Sequence, residues 1–544
     1  MWQHDYVPVG ESLLLSTLVS AIPLVILFYL LGVARKPSWV AGLSALGVSL
    51  VLAVGIYGMP AGLAGASMVY GAAFGLFPIG WIVIASLILY RVTLDTGKFE
   101  IIKDSIGALS DDRRLQAVLI GFAFGAFIEG AAGFGTPVAV AAAMLTGLGF
   151  APFYAAFICL VANTAPVAFG SLGIPVVTLQ GITGLDMDPL SSMTGRLCAL
   201  IAIIIPAYMV VIMSGFKRAF EVLPPIAACS ISFAGVLFWA TNTLGPELAV
   251  IFASIAALIS MVLVMKFWQP AQVFRLEGDT EATAKGHSHS MGQILFAWSP
   301  YMLLVIFVLA WRLLPPVTSL VNSVTFAIDV PGLHNLIMRV PPLTAEPSPY
   351  GAVYNVNWLA AAGSSCFLAA FAASLVLGMS PAKFVGVVDS VLKQLSMPLL
   401  TIASVLGVAF VMNYAGMTST LGLAFAATGA VFPFFSAMLG WTGVFLTGSD
   451  TSSNALFGTL QVVTANALGL NPILTASTNA ATGVMGKMIS LQSIAVAVAA
   501  TGMASSEEGR LFRITLKHSI VLALFMGVVT MIFAYVLPGL VPQP

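Results

Sequence analysis

The apolar run from Ala117 to Leu148 is long enough to enter a bilayer, and it is interrupted at its centre. There, Gly125-Ala-Phe-Ile-Glu-Gly-Ala-Ala-Gly-Phe-Gly-Thr-Pro137 holds the ionisable Glu129, glycines at 130, 133 and 135, and Pro137. Glycine loosens a helix, and proline removes a backbone donor. A helix broken at membrane depth persists only where its freed N–H and C=O groups face protein, water or a ligand. A second break, Thr447-Gly-Ser-Asp-Thr-Ser-Ser-Asn454, interrupts another apolar run. The expectation is that the two breaks face each other and hold a small anion.

Composition sets the class. The chain is 59% hydrophobic and 8% charged, whereas soluble domains carry about 25% charged residues. It therefore reads as a polytopic membrane protein. Its net charge is 0, which argues against a nucleic-acid partner. Met1–Gly10 has no basic segment, so a cleaved signal peptide is not expected. The four cysteines have neither CxxC spacing nor a metal-ligand pattern.

A crossing takes about 20 apolar residues. Candidate crossings are 11–34, 39–57, 62–93 (broken near Phe77-Pro78), 151–172, 195–215, 220–240, 246–266, 293–313, 351–378, 398–414, 471–490 and 515–540. Segments 117–148 and 437–468 are placed as re-entrant hairpins. The fold class is thus an all-α polytopic membrane protein of about twelve crossings and two re-entrant hairpins. With the N-terminus outside, all 21 basic residues fall on the inside except Arg196, Arg312, Arg339 and Lys487, as the positive-inside rule requires. Segments 98–116 and 381–396 read as amphipathic interfacial helices. Loop 267–292 is polar, and the Pro-rich outside loop 315–350 is placed over the external face.

Two stretches resemble each other at a spacing near 320 residues. Pro78-Ile-Gly-Trp-Ile-Val-Ile-Ala-Ser86 is similar to Pro398-Leu-Leu-Thr-Ile-Ala-Ser404, and Gly149-Phe-Ala-Pro152 to Gly469-Leu-Asn-Pro472. The topology runs them in opposite directions, the inverted-repeat plan of secondary transporters. The expected organisation is 1–60 (N-terminal helices), 61–218 (first repeat), 219–380 (intervening helices) and 381–544 (second repeat).

Glu129 at membrane depth reads as a proton carrier, or alternatively as a structural cap. Asp450 sits among Ser449, Thr451, Ser452, Ser453 and Asn454, which suit either a carboxylate ligand or helix capping. Lys487 reads as an anion partner or as a snorkelling lysine. Gly130, Gly133, Gly135 and Thr136 belong to the first break, and Asn163 and Asn479 hold matching places in the repeat. His287 and His289 are too few for a metal site. No P-loop, nucleophile elbow or zinc-helix motif is present, so an enzyme, an ATP-driven pump and any cofactor are not expected.

Four motifs go further: Phe124-Gly-Ala-Phe-Ile-Glu-Gly-Ala-Ala-Gly-Phe-Gly-Thr-Pro-Val138, Asn163-Thr-Ala-Pro-Val-Ala-Phe-Gly170, Gly443-Val-Phe-Leu-Thr-Gly-Ser-Asp-Thr-Ser-Ser-Asn-Ala-Leu-Phe457 and Gly486-Lys-Met-Ile-Ser490. Together with Trp268-Gln-Pro-x-x-Val-Phe-Arg275 they resemble the bacterial L-lactate permease family over essentially the whole chain. One departure is Leu491, where proline is expected. The resemblance implies proton symport of lactate and related 2-hydroxymonocarboxylates such as glycolate across the bacterial inner membrane. From residue chemistry alone, a sodium-coupled carboxylate transporter is the alternative.

Overall fold

The computed structural model describes residues 1–133, 135–276 and 289–543; His287 lies outside them. Helices α1 Leu13–Val33, α2 Ser38–Gly55 and α3 Ala61–Asp95 lead. Helix α3 breaks at Phe77, whose φ of −144° and ψ of 126° leave the helix just before Pro78. The short α4, Lys98–Gly107, buries Phe99, Ile102 and Ile106 along one face. A first hairpin follows, α5 Arg113–Ala131 and α6 Thr136–Gly147, with α6 folded back on α5. Helices α7 Pro152–Ala162 and α8 Val167–Thr183 meet at 63°. Next come α9 Met187–Phe220, α10 Leu223–Thr243 and α11 Ala249–Phe267. Helices α12 Met291–Ala297 and α13 Ser299–Leu313 meet at 48°. After α14 Pro315–Ser323 and α15 Ala362–Val376 comes α16 Pro381–Ala415, then α17 Met417–Ala426. The second hairpin is α18 Gly429–Thr447 and α19 Asp450–Ala467. Helices α20 Pro472–Lys487 and α21 Leu491–Thr501 meet at 40°, and α22 Glu508–Tyr535 closes the order.

Among the described residues, 10 helices are long and apolar enough to cross a membrane, or up to 13 if each bent pair is one span. This is the expected polytopic all-α class. Three segments differ from the expectation. Residues 381–396 are not a separate interfacial helix; they are the first turns of the 35-residue α16. The buried positions Phe384, Val387, Val391 and Leu395 recur at helical spacing, and the same helix continues through Ile402 into the buried part. The expected crossing 351–378 is a helix only from Ala362, because Val353–Val356 pairs as a strand with Phe326–Asp329. The crossing at 151–172 extends to Thr183 through a bend. Leu491 occupies the first position of α21, capped by Ser490. Proline is equally at home at that position, so the departure leaves the local geometry intact.

The order of elements repeats. A long helix, a short helix, a hairpin, a bent pair and a long helix occur as α3 to α9 and again as α16 to α22, about 320 residues apart. The packing is reciprocal as well. Helix α8 of the first set packs on α19 of the second, and α21 of the second packs on α6 of the first. Helices α3 and α16 pack on each other.

Basic residues tie elements together at one end of the bundle. Arg91 Nη2 donates to Gln394 Oε1 (2.9 Å) and Lys383 Nζ to the Asp95 carbonyl (3.0 Å). At the same end the fully buried Arg114 uses all five of its N–H donors. Nε and Nη2 bind Asp112 (3.0 and 2.7 Å), Nη2 also reaches the Gln272 carbonyl (3.2 Å), and Nη1 binds the Arg218 carbonyl and Glu221 (2.7 and 2.8 Å). Phe274 N donates in turn to Asp112 (3.0 Å). The Trp268–Arg275 motif is therefore a strap across the foot of the first hairpin.

The opposite end carries a small β cap. Trp2–Gln3 (β1) pairs parallel with Ile337–Arg339 (β3), which pairs antiparallel with Ser348–Pro349 (β4); Phe326–Asp329 (β2) pairs with Val353–Val356 (β5). His4 is buried beneath it, and its Nε2–H donates to the Tyr414 carbonyl (2.9 Å). Burial, with Arg339 nearby, pushes His4 down to about 4. A detached strand would bind a proton near pH 6.5 that the docked one refuses. Docking is therefore strongest above pH 6.5 and weakens as pH falls from there toward 4, by up to roughly 3 kcal/mol. Hydrogen exchange of the amides at residues 2–4 should accelerate over that window, and His4→Phe should flatten the response.

Candidate substrate site

Four interruptions of the helices meet around one chamber of about 450 Å³. The first is the tip of hairpin one, where Gly133 (φ 58°) and Gly135 (φ 80°) turn the chain left-handed between α5 and α6. The second is the start of α8, where Ser171, Leu172 and Gly173 take φ values of 45°, 58° and 77° in succession. Left-handed backbone at two non-glycine residues is strained. It is held in part by Ser171 Oγ, which donates to the Ala132 carbonyl at the first tip (2.8 Å). The third is Gly448 (φ 70°), which ends α18 and lets Ser449 cap α19 by accepting from Ser452 N (3.2 Å). The fourth separates α20 from α21, where Ser490 accepts from Ser493 N (3.2 Å).

Three helices, α6, α19 and α21, begin at this chamber. Helix N-termini present unpaired N–H groups and a positive potential. The charged side chains lining it, among the described residues, are Glu129, Asp450 and Lys487. Lys487 does not snorkel out; its Nζ donates to the Gly448 carbonyl at 2.6 Å. Both carboxylates lie within its electrostatic reach. Asp450 is 3% exposed, and neither of its carboxylate oxygens has a hydrogen-bond partner. Capping is Ser449's work, so Asp450 stands free of it. Glu129 ends the first leg of its hairpin, packed against Gly170 and beside Asn163.

The chamber also exposes Gly135, Thr136, Ser449, Thr451 and Ser452. Other expected site residues stand behind its wall. Gly130 packs on Val250 and Ile251 of α11, and Gly133 on Ser171. Ser453 donates to the Gly440 carbonyl (3.3 Å). Asn454 donates to the Pro175 carbonyl (3.0 Å) and accepts from Asn479 Nδ2 (2.8 Å), whose Oδ1 accepts from Gln461 (3.1 Å). Sequence reasoning passed over Ser171 and Ser493, which line the chamber; Thr447, named there only as the start of the second break, lines it too. Ser171 carries one signal, its place between Gly170 and Gly173.

The family profile of L-lactate permeases matches residues 16–537. The chain belongs to the L-lactate permease family. This permease is 43% identical to the L-lactate permease of Bacillus subtilis (strain 168), over 99% of its own length and 100% of that protein's. It is 42% identical to the glycolate permease GlcA of Escherichia coli (strain K12), over 99% of each chain. Identity to the L-lactate permease of the same strain is also 42%, over 100% of both. The YdaH transporter of Alcanivorax borkumensis aligns over 87% of this chain and 88% of that one, with 15% identity and a TM-score of 0.44. That similarity is too distant to place any element of the permease.

Proposed function

We propose that this permease takes up lactate, and glycolate with it, by symport with a proton. The observation that carries the reading is the charge count of the chamber among the described residues: two carboxylates and one ammonium. With all three ionised, the chamber holds one net negative charge before any substrate arrives. Adding a carboxylate to a confined, desolvated space would double that charge. Protonating Glu129 or Asp450 first removes the conflict, so proton and anion enter together. The substrate carboxylate is held by Lys487, by the first-turn N–H groups of α19 and by the hydroxyls of Ser449, Thr451 and Ser452. The 2-hydroxyl is read by a neutral polar neighbour such as Thr136 or Ser171. Liquid water takes about 30 Å³ per molecule, so 450 Å³ admits a small acid with several waters.

The chamber's mouth includes Ser38, Trp39 and Gln394, beside the basic Arg35, Lys36 and Lys393. Under the positive-inside rule that mouth is cytoplasmic, and the state described is open inward. The repeated element order and reciprocal packing support two inverted repeats around the site.

The test is labelled lactate uptake into proteoliposomes, driven separately by a pH step and by a potential step. An inward proton gradient should drive accumulation of up to about tenfold per pH unit. A potential alone should drive none, because one proton with one anion moves no net charge. Uptake that needs sodium and ignores pH would replace this reading with sodium coupling.

A further inference from the structure

A second cavity of about 620 Å³ lies toward the β cap. It continues along the same three helices as the chamber. On α3, Val83 and Leu87 face the chamber, while Pro78 and Ile82 face the second cavity. On α8 the change falls between Pro175 and Val177, and on α16 between Ile402 and Phe410. The two spaces thus follow one another along the same three helices.

Charge separates their roles. The chamber has Lys487, whereas the second cavity is lined by Asp186 and Glu247 with no lining cation among the described residues. Arg312 Nη1 lies 3.7 Å from Glu247 Oε2. An anion is therefore retained in the chamber and only passes through the second cavity.

The seam between α8 and α19 runs from residues lining the chamber to residues lining the second cavity. At the chamber end, Asn454 Nδ2 donates to the Pro175 carbonyl (3.0 Å), its amide orientation fixed by Asn479. At the far end, Thr459 Oγ1 donates to the Ile182 carbonyl (2.8 Å), in the last turn of α8. Asn413 Nδ2, which lines the second cavity, donates to that same hydroxyl (3.0 Å). Gly458 lies between the two bonds, where a Cβ would stand 2.9 Å from Ile182 and Leu179, so the helices touch closely. At the reciprocal seam, α6 on α21, a Cβ on Gly135 would stand 3.8 Å from the Val496 side chain, an apolar approach.

We propose that the α8–α19 seam is the outer gate of the permease, latched shut by Asn454 and Thr459, and that the second cavity is the external access to it. The proposal rests on the transport reading above, but its test needs no substrate. All four native cysteines are buried, which keeps background labelling low. A reporter cysteine is placed in the chamber as Thr401→Cys, or in the second cavity as Gln180→Cys. A membrane-impermeant maleimide is then applied from outside to oriented vesicles. Gln180→Cys should label readily and Thr401→Cys slowly. Thr459→Val should speed external labelling of Thr401→Cys about fivefold, the population shift that loss of one net hydrogen bond permits. Thr459→Ser, which keeps the hydroxyl, should restore the slow rate. Labelling of Thr401→Cys from the inside reports that each variant is folded, and Thr459→Ala serves if the valine is not tolerated. Unchanged external labelling in a folded variant overturns the latch. Failure of Gln180→Cys to label from outside overturns the access route. A protein that labels as expected yet carries no lactate would leave the gate standing and remove the substrate assignment instead.

Discussion

Lys487→Gln is expected to abolish saturable lactate uptake, with apparent affinity falling by about a hundredfold or more. The glutamine amide can still donate to the Gly448 carbonyl, so the break between α18 and α19 keeps its tether. What disappears is the one positive side chain lining the chamber among the described residues. Two carboxylates then face an incoming carboxylate with only helix dipoles and hydroxyls to offset them, and a charge at this depth is costly when unpaired. Lys487→Arg keeps the charge on a bulkier, planar group and should retain part of the activity with a raised KM. Equilibrium binding of lactate to detergent-solubilised protein checks both. If the glutamine variant binds as the parent does, Lys487 is structural.

Asp450→Asn should uncouple substrate movement from the proton. The amide is close in shape to the protonated acid and carries no charge, so the chamber accepts lactate without protonation. Exchange of labelled for unlabelled lactate should persist. Accumulation driven by a pH step, about tenfold per unit in the parent, should fall to none. Net uptake then carries one negative charge and should respond to an inside-positive potential with about 2.3 kcal/mol per 100 mV. Glu129→Gln is the companion measurement. The carboxylate whose amide shows this pattern holds the coupled proton, while the other should lose binding or folding.

The sequence was most informative where chemistry conflicts with the bilayer. Glu129, the glycine run beside it, and the polar string at 449–454 stood out because lipid cannot accommodate them, and both breaks do border one chamber. The class and the membrane-crossing helices followed from long apolar runs. The pairing of Val353–Val356 with Phe326–Asp329 was hidden, because it depends on a partner strand distant in sequence. The continuity of α16 was hidden for a different reason. Charged Lys383, Asp389 and Lys393 suggested an interfacial piece, while the buried stripe on the opposite face joins it to the membrane helix. Asn454 and Asn479 looked like ligand groups because polar residues at membrane depth serve either substrate or neighbouring helices. Only the direction of each amide, toward Pro175 and toward Asn454, distinguishes the two uses.

The knot around Arg114 constrains how the first hairpin can take part in a transport cycle. Each of its five donors is engaged, on Asp112, Glu221 and two carbonyls of distant segments. Sliding the hairpin along its own axis would break the three bonds that reach other segments, to Arg218, Glu221 and Gln272, while those to Asp112 travel with it. Pivoting about that foot would break none of them. A foot tied in this way favours a pivot over a slide, and a pivot would carry its largest displacement at the far end, where Glu129 and the glycines sit.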